Sequence, residues 1–251
     1  MPYTDRMPKC LVPVAGIPIL VRQLAAFRAH GVTEFVIIRG YLGKVFDDVA
    51  GDLGAGIRFV DNRDFEHNNI LESLFCAAEE LSGPVLMTYG DIVFTEEVVG
   101  DLMAAPGEIC LTIDRDFAAV YQGRTDHPLG EAEVADLDSD GRVHRVGKRA
   151  LPPEDAWGEF IGLSKFSALG ASWLRQAWDQ LCADYRDRPG DPFQRAPSFR
   201  NAYLTDMLQH LIDAGRPVSP VAIHGKWREI DTVQDLERAE ALLGSHQETW
   251  K

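Results

Sequence analysis

The chain has 251 residues, 45% of them hydrophobic and 9% aromatic, which suits one large α/β domain with a sizeable core. A formal net charge of −14 argues against a general nucleic-acid binder or an anionic-membrane protein, because both need basic surface. No run of about 18 apolar residues is long enough for a membrane span, and no signal-peptide pattern opens the chain, so a cytoplasmic protein is expected.

Four prolines among the first eighteen positions (Pro2, Pro8, Pro13, Pro18) predict an extended, rigid loop that feeds a helix over 18–30. Lys9 in that loop suits a phosphate, or is an ordinary solvated lysine. A buried strand over 34–41, a short helix over 42–53 and a strand over 56–62 follow. His67 opens a helix that runs to Leu81. Asn68, Asn69 and Ser73 at its start could hydrogen-bond a base or ribose; alternatively one asparagine is simply the cap. Alternating short strands and helices predict a Rossmann-like, mixed but mainly parallel sheet with helices on both faces.

Within 84–94, the apolar run bounded by Gly83-Pro84 on one side and Gly90-Asp91 on the other reads as a buried parallel strand that delivers a carboxylate, Asp91, at its C-terminal end, where open α/β sheets place their chemistry. A second acid, Asp231, follows a strand-like segment and precedes a periodic helix over 233–243. Two acids converging from distant parts of a chain suit a hard divalent cation, Mg²⁺, with phosphate oxygens completing its shell. The plainer alternatives are a turn residue at Asp91 and an N-cap at Asp231, or at Thr232 beside it.

Between these acids the pattern predicts a helix over 95–105 and a strand over 108–114. A polar, turn-rich mobile loop is expected over 117–130, then a β-hairpin over 131–148 about the turn 138–141. Lys148 ends the hairpin in a local concentration of positive charge, either for a ligand or for solubility. A strand over 157–167 carries Gly158 and Gly162, which permit close approach of a ligand or another backbone. A helix over 168–185, a loop or lid over 186–201, a helix over 202–214 and a strand over 219–224 complete the order. The last few residues are expected to fray. Cys10, Cys76, Cys110 and Cys182 show no paired spacing and read as reduced core thiols.

The segment from Pro8-Lys9 through Gly16-Ile17-Pro18-Ile19-Leu20 resembles the corresponding segment of the sugar-phosphate nucleotidyltransferase family. Gly40-Tyr41, Asn68-Asn69 with Ser73, Gly90-Asp91, Glu159-Phe160-Ile161-Gly162 and Glu229-Ile230-Asp231-Thr232 resemble, more narrowly, its phosphocholine and 2-aminoethylphosphonate cytidylyltransferase branch. The resemblance covers nearly the whole chain. It implies a single nucleotidyltransferase domain over 1–251, with an acceptor-side insertion and hairpin over 117–167. The implied reaction passes CMP from CTP, or NMP from another NTP, to a small phosphonate or phosphocholine-like acceptor with release of pyrophosphate. It also implies that Asp91 and Asp231 hold Mg²⁺, Lys9 stabilises the triphosphate, and Asn68, Asn69, Ser73 and Gly90 serve the nucleotide. Lys148 would meet the acceptor's anionic head and Glu159 a cationic amine. Transfer to a sugar 1-phosphate and a non-catalytic nucleotide-binding homologue are the alternatives; apolar hairpin or lid surface would suit a homodimer.

Members of that family open with a hydrophobic strand and a Gly-rich loop ending in arginine, which would precede Met1 here. That strand would be central, and each buried backbone group left without a partner costs about 1–3 kcal/mol. Met1 is therefore expected to be an internal methionine of a longer gene.

Overall fold

The computed structural model describes residues 2–245; the tail expected to fray lies outside the described residues. A short antiparallel pair, β1 (Pro13–Val14) and β2 (Ile17–Pro18), turns at Ala15 and Gly16, both at positive φ. Pro18 then caps α1 (Ile19–Ala29) with a fixed backbone, and Gly31 at φ +80° ends it. In order follow β3 (Phe35–Arg39), α2 (Val45–Val49), β4 (Ile57–Asp61), α3 (Ile70–Phe75), β5 (Val85–Thr88), β6 (Ile92–Phe94), α4 (Glu96–Ala104) and β7 (Ile109–Asp114). The remainder comprises α5 (Phe117–Tyr121), β8 (Glu133–Leu137), β9 (Val143–Lys148), β10 (Gly158–Phe166), α6 (Ala168–Asp184), α7 (Leu204–Asp213), β11 (Ser219–Ile223), β12 (Trp227–Glu229) and α8 (Val233–Ser245).

The main sheet is built around β10. β7 lines one of its edges and β11 lies beyond β7, while β8 and β5 share the other edge and β9 lies beyond β8. β5, β7 and β11 run in one direction and β10 runs against them. The α/β class is as expected, but most hydrogen-bonded ladders are antiparallel. The reversed strand β10 makes three of them, and the β8·β9 hairpin, the β6·β12 pair and the β1·β2 pair make the others among the described residues. Among the described residues β3 pairs with β4 alone and β5 with β10 alone, so each leaves an edge open.

β7 is buried at all six positions because helices cover both faces of the sheet. Ile109, Leu111 and Ile113 point to one face, where they pack with Leu71 of α3, Leu174 of α6 and Met207 and Leu208 of α7. The alternate Cys110 points to the other, with Leu24 and Phe27 of α1 and Val98, Val99 and Leu102 of α4.

Several expectations change. The strand expected before Gly90-Asp91 is β5, but beyond Asp91 an unexpected second strand, β6, leaves the main sheet to pair with β12. The helix from His67 shortens to α3, with a 3₁₀ turn at Ala78–Glu80 behind it. The segment 117–130 is anchored: Phe117, Val120 and Tyr121 of α5 are buried, and so is Arg124. The segment 186–201 is likewise tied down by buried Phe193, Ala196 and Phe199. Cys76 is exposed rather than a core thiol, since α3 turns it outward; Cys110 is buried, and all four cysteines are free. The two β10 glycines admit protein. A Cβ on Gly158 would stand 2.6 Å from the Asp114 carbonyl, and one on Gly162 2.2 Å from the Tyr89 ring.

Candidate active site

Asp91 follows β5 at the sheet's carboxyl edge, and the β6·β12 ladder carries the second acid to it. Ile92 pairs with Glu229, so the next step of the same antiparallel run sets Ile230 N–H on the Asp91 carbonyl at 2.8 Å. Asp231 then lies beside Asp91. Thr232 and Asp235 form a reciprocal cap for α8: the Thr232 hydroxyl accepts from Asp235 N, and Asp235 Oδ2 accepts from Thr232 N at 2.9 Å. Since Thr232 performs the capping, the Asp231 carboxylate is free to face inward.

Lys9, presented by a 3₁₀ turn (Lys9–Leu11) of the proline-rich segment, reaches both acids. Its ammonium donates to Asp91 Oδ2 at 2.9 Å and to Asp231 Oδ1. Burial alone would lower the Lys9 pKa, but Asp91 and Asp231 hold it above its ordinary value. Burial pushes Asp231 up, and Lys9, His127 and Arg124 more than offset this, so its carboxyl sits below the usual range. Asp91 Oδ1 is buried with no hydrogen-bond partner.

Three residues surround Asp231: His127 and Arg124, which the sequence did not single out, and Glu229, which the sequence placed in a motif without a role. His127 Nδ1 lies 2.6 Å from Asp231 Oδ2, an ionised acceptor, which places the proton on Nδ1. Burial and the neighbouring Arg124 hold the His127 pKa below its ordinary value. Glu229 is pushed above the usual carboxylate range by burial and by Asp231 and Asp91. Ligand-type atoms of His127, Glu229 and Asp231 all fall within 4.8 Å of one another. Arg124 joins Glu229 at 2.9 Å and forks onto Asp235 at 2.5 and 2.9 Å.

Gly90 and Asp91 separate two clefts. The first, about 210 Å³, is bounded by Lys9, Cys10, Gly40, Tyr41, Gly90 and Asp91. The second, about 260 Å³, runs from Asp91, Glu229 and Asp231 to Lys148, Glu159, Glu133, Tyr121 and Tyr203. Glu159 is 4% exposed; its Oε1 accepts from the Tyr121 hydroxyl at 2.6 Å, while Oε2 is buried without a partner. Burial raises the Glu159 pKa well above the carboxylate range. Glu133 accepts from Tyr89 at 3.0 Å and from Thr205 at 3.1 Å. Lys148 stands 3.6 Å from Glu131 and 5.2 Å from the Tyr203 ring centre.

The asparagines have local partners. Asn69 is the cap of α3, accepting from Ile70 N at 2.8 Å and donating to the Asn201 carbonyl, and it borders the second cleft. Asn68 exchanges amide hydrogen bonds with Asn62. Neither Asn68 nor Ser73 is among the residues lining the two clefts.

Residues 4–145 match the MobA-like NTP transferase domain, and the chain belongs to that family. It is 28% identical over 243 residues to the CTP:phosphoglutamine cytidylyltransferase of Campylobacter jejuni, covering 94% of this chain and 92% of the relative. It is 36% identical over 140 residues to the CMP-5'-(3-aminopropyl)phosphonate synthase of Streptomyces rubellomurinus, across 55% of this chain and 21% of that longer protein. Its fold is that of the inositol-1-phosphate CTP transferase from T. maritima, with a TM-score of 0.74 at 17% identity over 100% of this chain and 91% of the other. No helix among the described residues is long and apolar enough to cross a membrane.

Proposed function

We propose that the protein is a Mg²⁺-dependent cytidylyltransferase that passes CMP from CTP to a small, amine-bearing phosphonate or phosphocholine-like acceptor. The observation that carries this reading is the contact of one ammonium, Lys9, with two carboxylates, Asp91 and Asp231, at the junction of two clefts. Nucleotidyl transfer needs two polyanions brought together. In the reaction an acceptor oxygen forms a bond to the α-phosphorus as the bond to the β-phosphate bridging oxygen breaks and pyrophosphate leaves. No covalent enzyme intermediate is required, so the chain's part is positioning and charge neutralisation.

The donor set fits the cation. Asp91 Oδ1 is a buried carboxylate oxygen with no partner, Asp231 stands beside it, and hard oxygen ligands suit Mg²⁺. Asp91 and Asp231 would hold the ion, which when bound supplies Lewis-acid neutralisation of phosphate charge. Lys9 orients the triphosphate from the first-cleft side. Lys148 meets the acceptor's anion, and Glu159, held by Tyr121, meets its amine. The named activities of the Campylobacter and Streptomyces relatives support CTP as donor and a phosphorylated or phosphonate acceptor.

Phosphorus-31 NMR of incubations with each NTP, paired in turn with 2-aminoethylphosphonate, phosphocholine and sugar 1-phosphates, tests the reading. New phosphoanhydride signals, from CMP joined to the acceptor's phosphonate or phosphate, that require CTP support it. Product with a sugar 1-phosphate alone would replace the acceptor assignment.

A further inference from the structure

Two buried polar side chains that line neither cleft converge on the turns that carry the site acids. Gln23 of α1 is 3% exposed and sits in an otherwise apolar stripe with Leu20, Leu24 and Phe27. Its Nε2 donates to the carbonyl of Tyr89 at 2.7 Å and to that of Ile92 at 2.8 Å. One amide nitrogen thus spans the two residues, Gly90 and Asp91, that separate the clefts. A polar group in this stripe is costly unless its donors are satisfied, and both of the Nε2 hydrogens are.

Arg124 does the same for the turn of the other acid through Asp235, 111 positions away in sequence. Its side chain is 2% exposed. Through Nε and Nη2 it holds Asp235, whose Oδ2 accepts from Asp231 N at 3.1 Å and Thr232 N at 2.9 Å; Nη2 also reaches Glu229. Three residues on, His127 holds Asp231 Oδ2, and Thr125 N donates to Gln234 at 2.8 Å. The segment 124–127 therefore clasps the whole turn from Glu229 to Asp235. Such a fork matches a carboxylate with a fixed orientation, which an ammonium cannot reproduce.

We propose that Gln23 and Arg124 are positioning residues, Gln23 fixing the Asp91 turn and Arg124 the Asp231 turn, so that the two carboxylates keep the separation a divalent cation requires. This rests on the reading of Asp91 and Asp231 as the cation-holding pair. Groups that orient ligands govern metal affinity without touching the ion.

The test is a Mn²⁺ titration of the full chain without substrate, following free Mn²⁺ by EPR, for wild type, Gln23→Met, Arg124→Lys and Asp91→Asn. Gln23→Met keeps the volume and Arg124→Lys keeps the charge; Gln23→Glu replaces the former if it melts below the assay temperature. Both positioning variants are expected to bind Mn²⁺ about tenfold more weakly than wild type. In turnover, kcat falls while the acceptor KM stays within about twofold. Wild-type Mn²⁺ affinity in both folded variants would overturn the inference alone. A wild type that does not bind Mn²⁺, or an Asp91→Asn variant that binds as well as wild type, would overturn the cation reading and the inference together.

Discussion

The Ile230 N–H donates to the Asp91 carbonyl at 2.8 Å, and this single backbone bond brings residues 139 positions apart into one site. The carboxylates of Asp91 and of Asp231, the residue after Ile230, share the Lys9 ammonium. Lys9, Asp91 and Asp231 remain 32%, 28% and 24% exposed at the side chain, so the pairs contribute little to stability, about 0–1 kcal/mol. Lys9→Met is therefore expected to melt close to wild type while losing about 10²–10³-fold in kcat, the loss typical of a group that stabilises developing charge. Calorimetry beside steady-state kinetics checks both halves. A large fall in melting temperature with kcat intact would assign Lys9 to the fold instead.

Glu133 gives a pH signature. Burial pushes its pKa to about 7, while hydrogen bonds from Tyr89 and Thr205 and the charge of Lys148 pull it down and Asp206 pushes it up. The folded value lies above the unfolded one. Glu133 therefore contributes stability that is full below the unfolded value of 4.5 and is lost as pH rises through about 7. The span corresponds to about 3–4 kcal/mol. Glu133→Gln cannot ionise, so its melting temperature relative to wild type is expected to rise between about pH 5 and pH 8.5. A difference that does not change with pH would contradict this.

Gly162 stands at φ +82°, where β10 shifts register against β7, and Tyr89 packs over it. Gly162→Ala combines a left-handed backbone cost of about 1–2 kcal/mol with a Cβ forced into the ring. Urea denaturation is expected to show a loss of at least about 2 kcal/mol. A loss within about 0.5 kcal/mol would mean that neither the ring contact nor the left-handed backbone constrains this position.

Glu159 tests the acceptor. Glu159→Gln keeps the Tyr121 hydrogen bond but removes the ionisable partner for an ammonium. The KM for an amine-bearing acceptor is expected to rise about tenfold, with the KM for CTP unchanged, since a hydrogen bond to a charged group contributes about 1.5–3 kcal/mol. An unchanged acceptor KM would place the amine elsewhere.

Much of the fold was legible because its signals are local. Pro18 and Gly31 bracket α1, the turn at 138–141 joins β8 to β9, and Gly215 at φ +77° closes α7. What stayed hidden depends on partners far along the chain. The turn-rich segment 117–130 reads as a mobile loop, yet Arg124 is fixed by Glu229 and Asp235, 105 and 111 positions away. Beyond Asp91 nothing local marks β6 as a separate strand, because it is β12 that captures it. Gln23 left one trace, a lone amide in the buried stripe of an amphipathic helix. His127 left none, since its role comes from the position of Asp231.

The most direct measurement is pyrophosphate release with CTP, Mg²⁺ and 2-aminoethylphosphonate or phosphocholine, run side by side on wild type and Asp231→Asn. Release by wild type that requires CTP and acceptor, stops on chelation and is lost in Asp231→Asn is the expected result. A folded wild type that stays silent with every acceptor, or an Asp231→Asn variant that turns over like wild type, would contradict it.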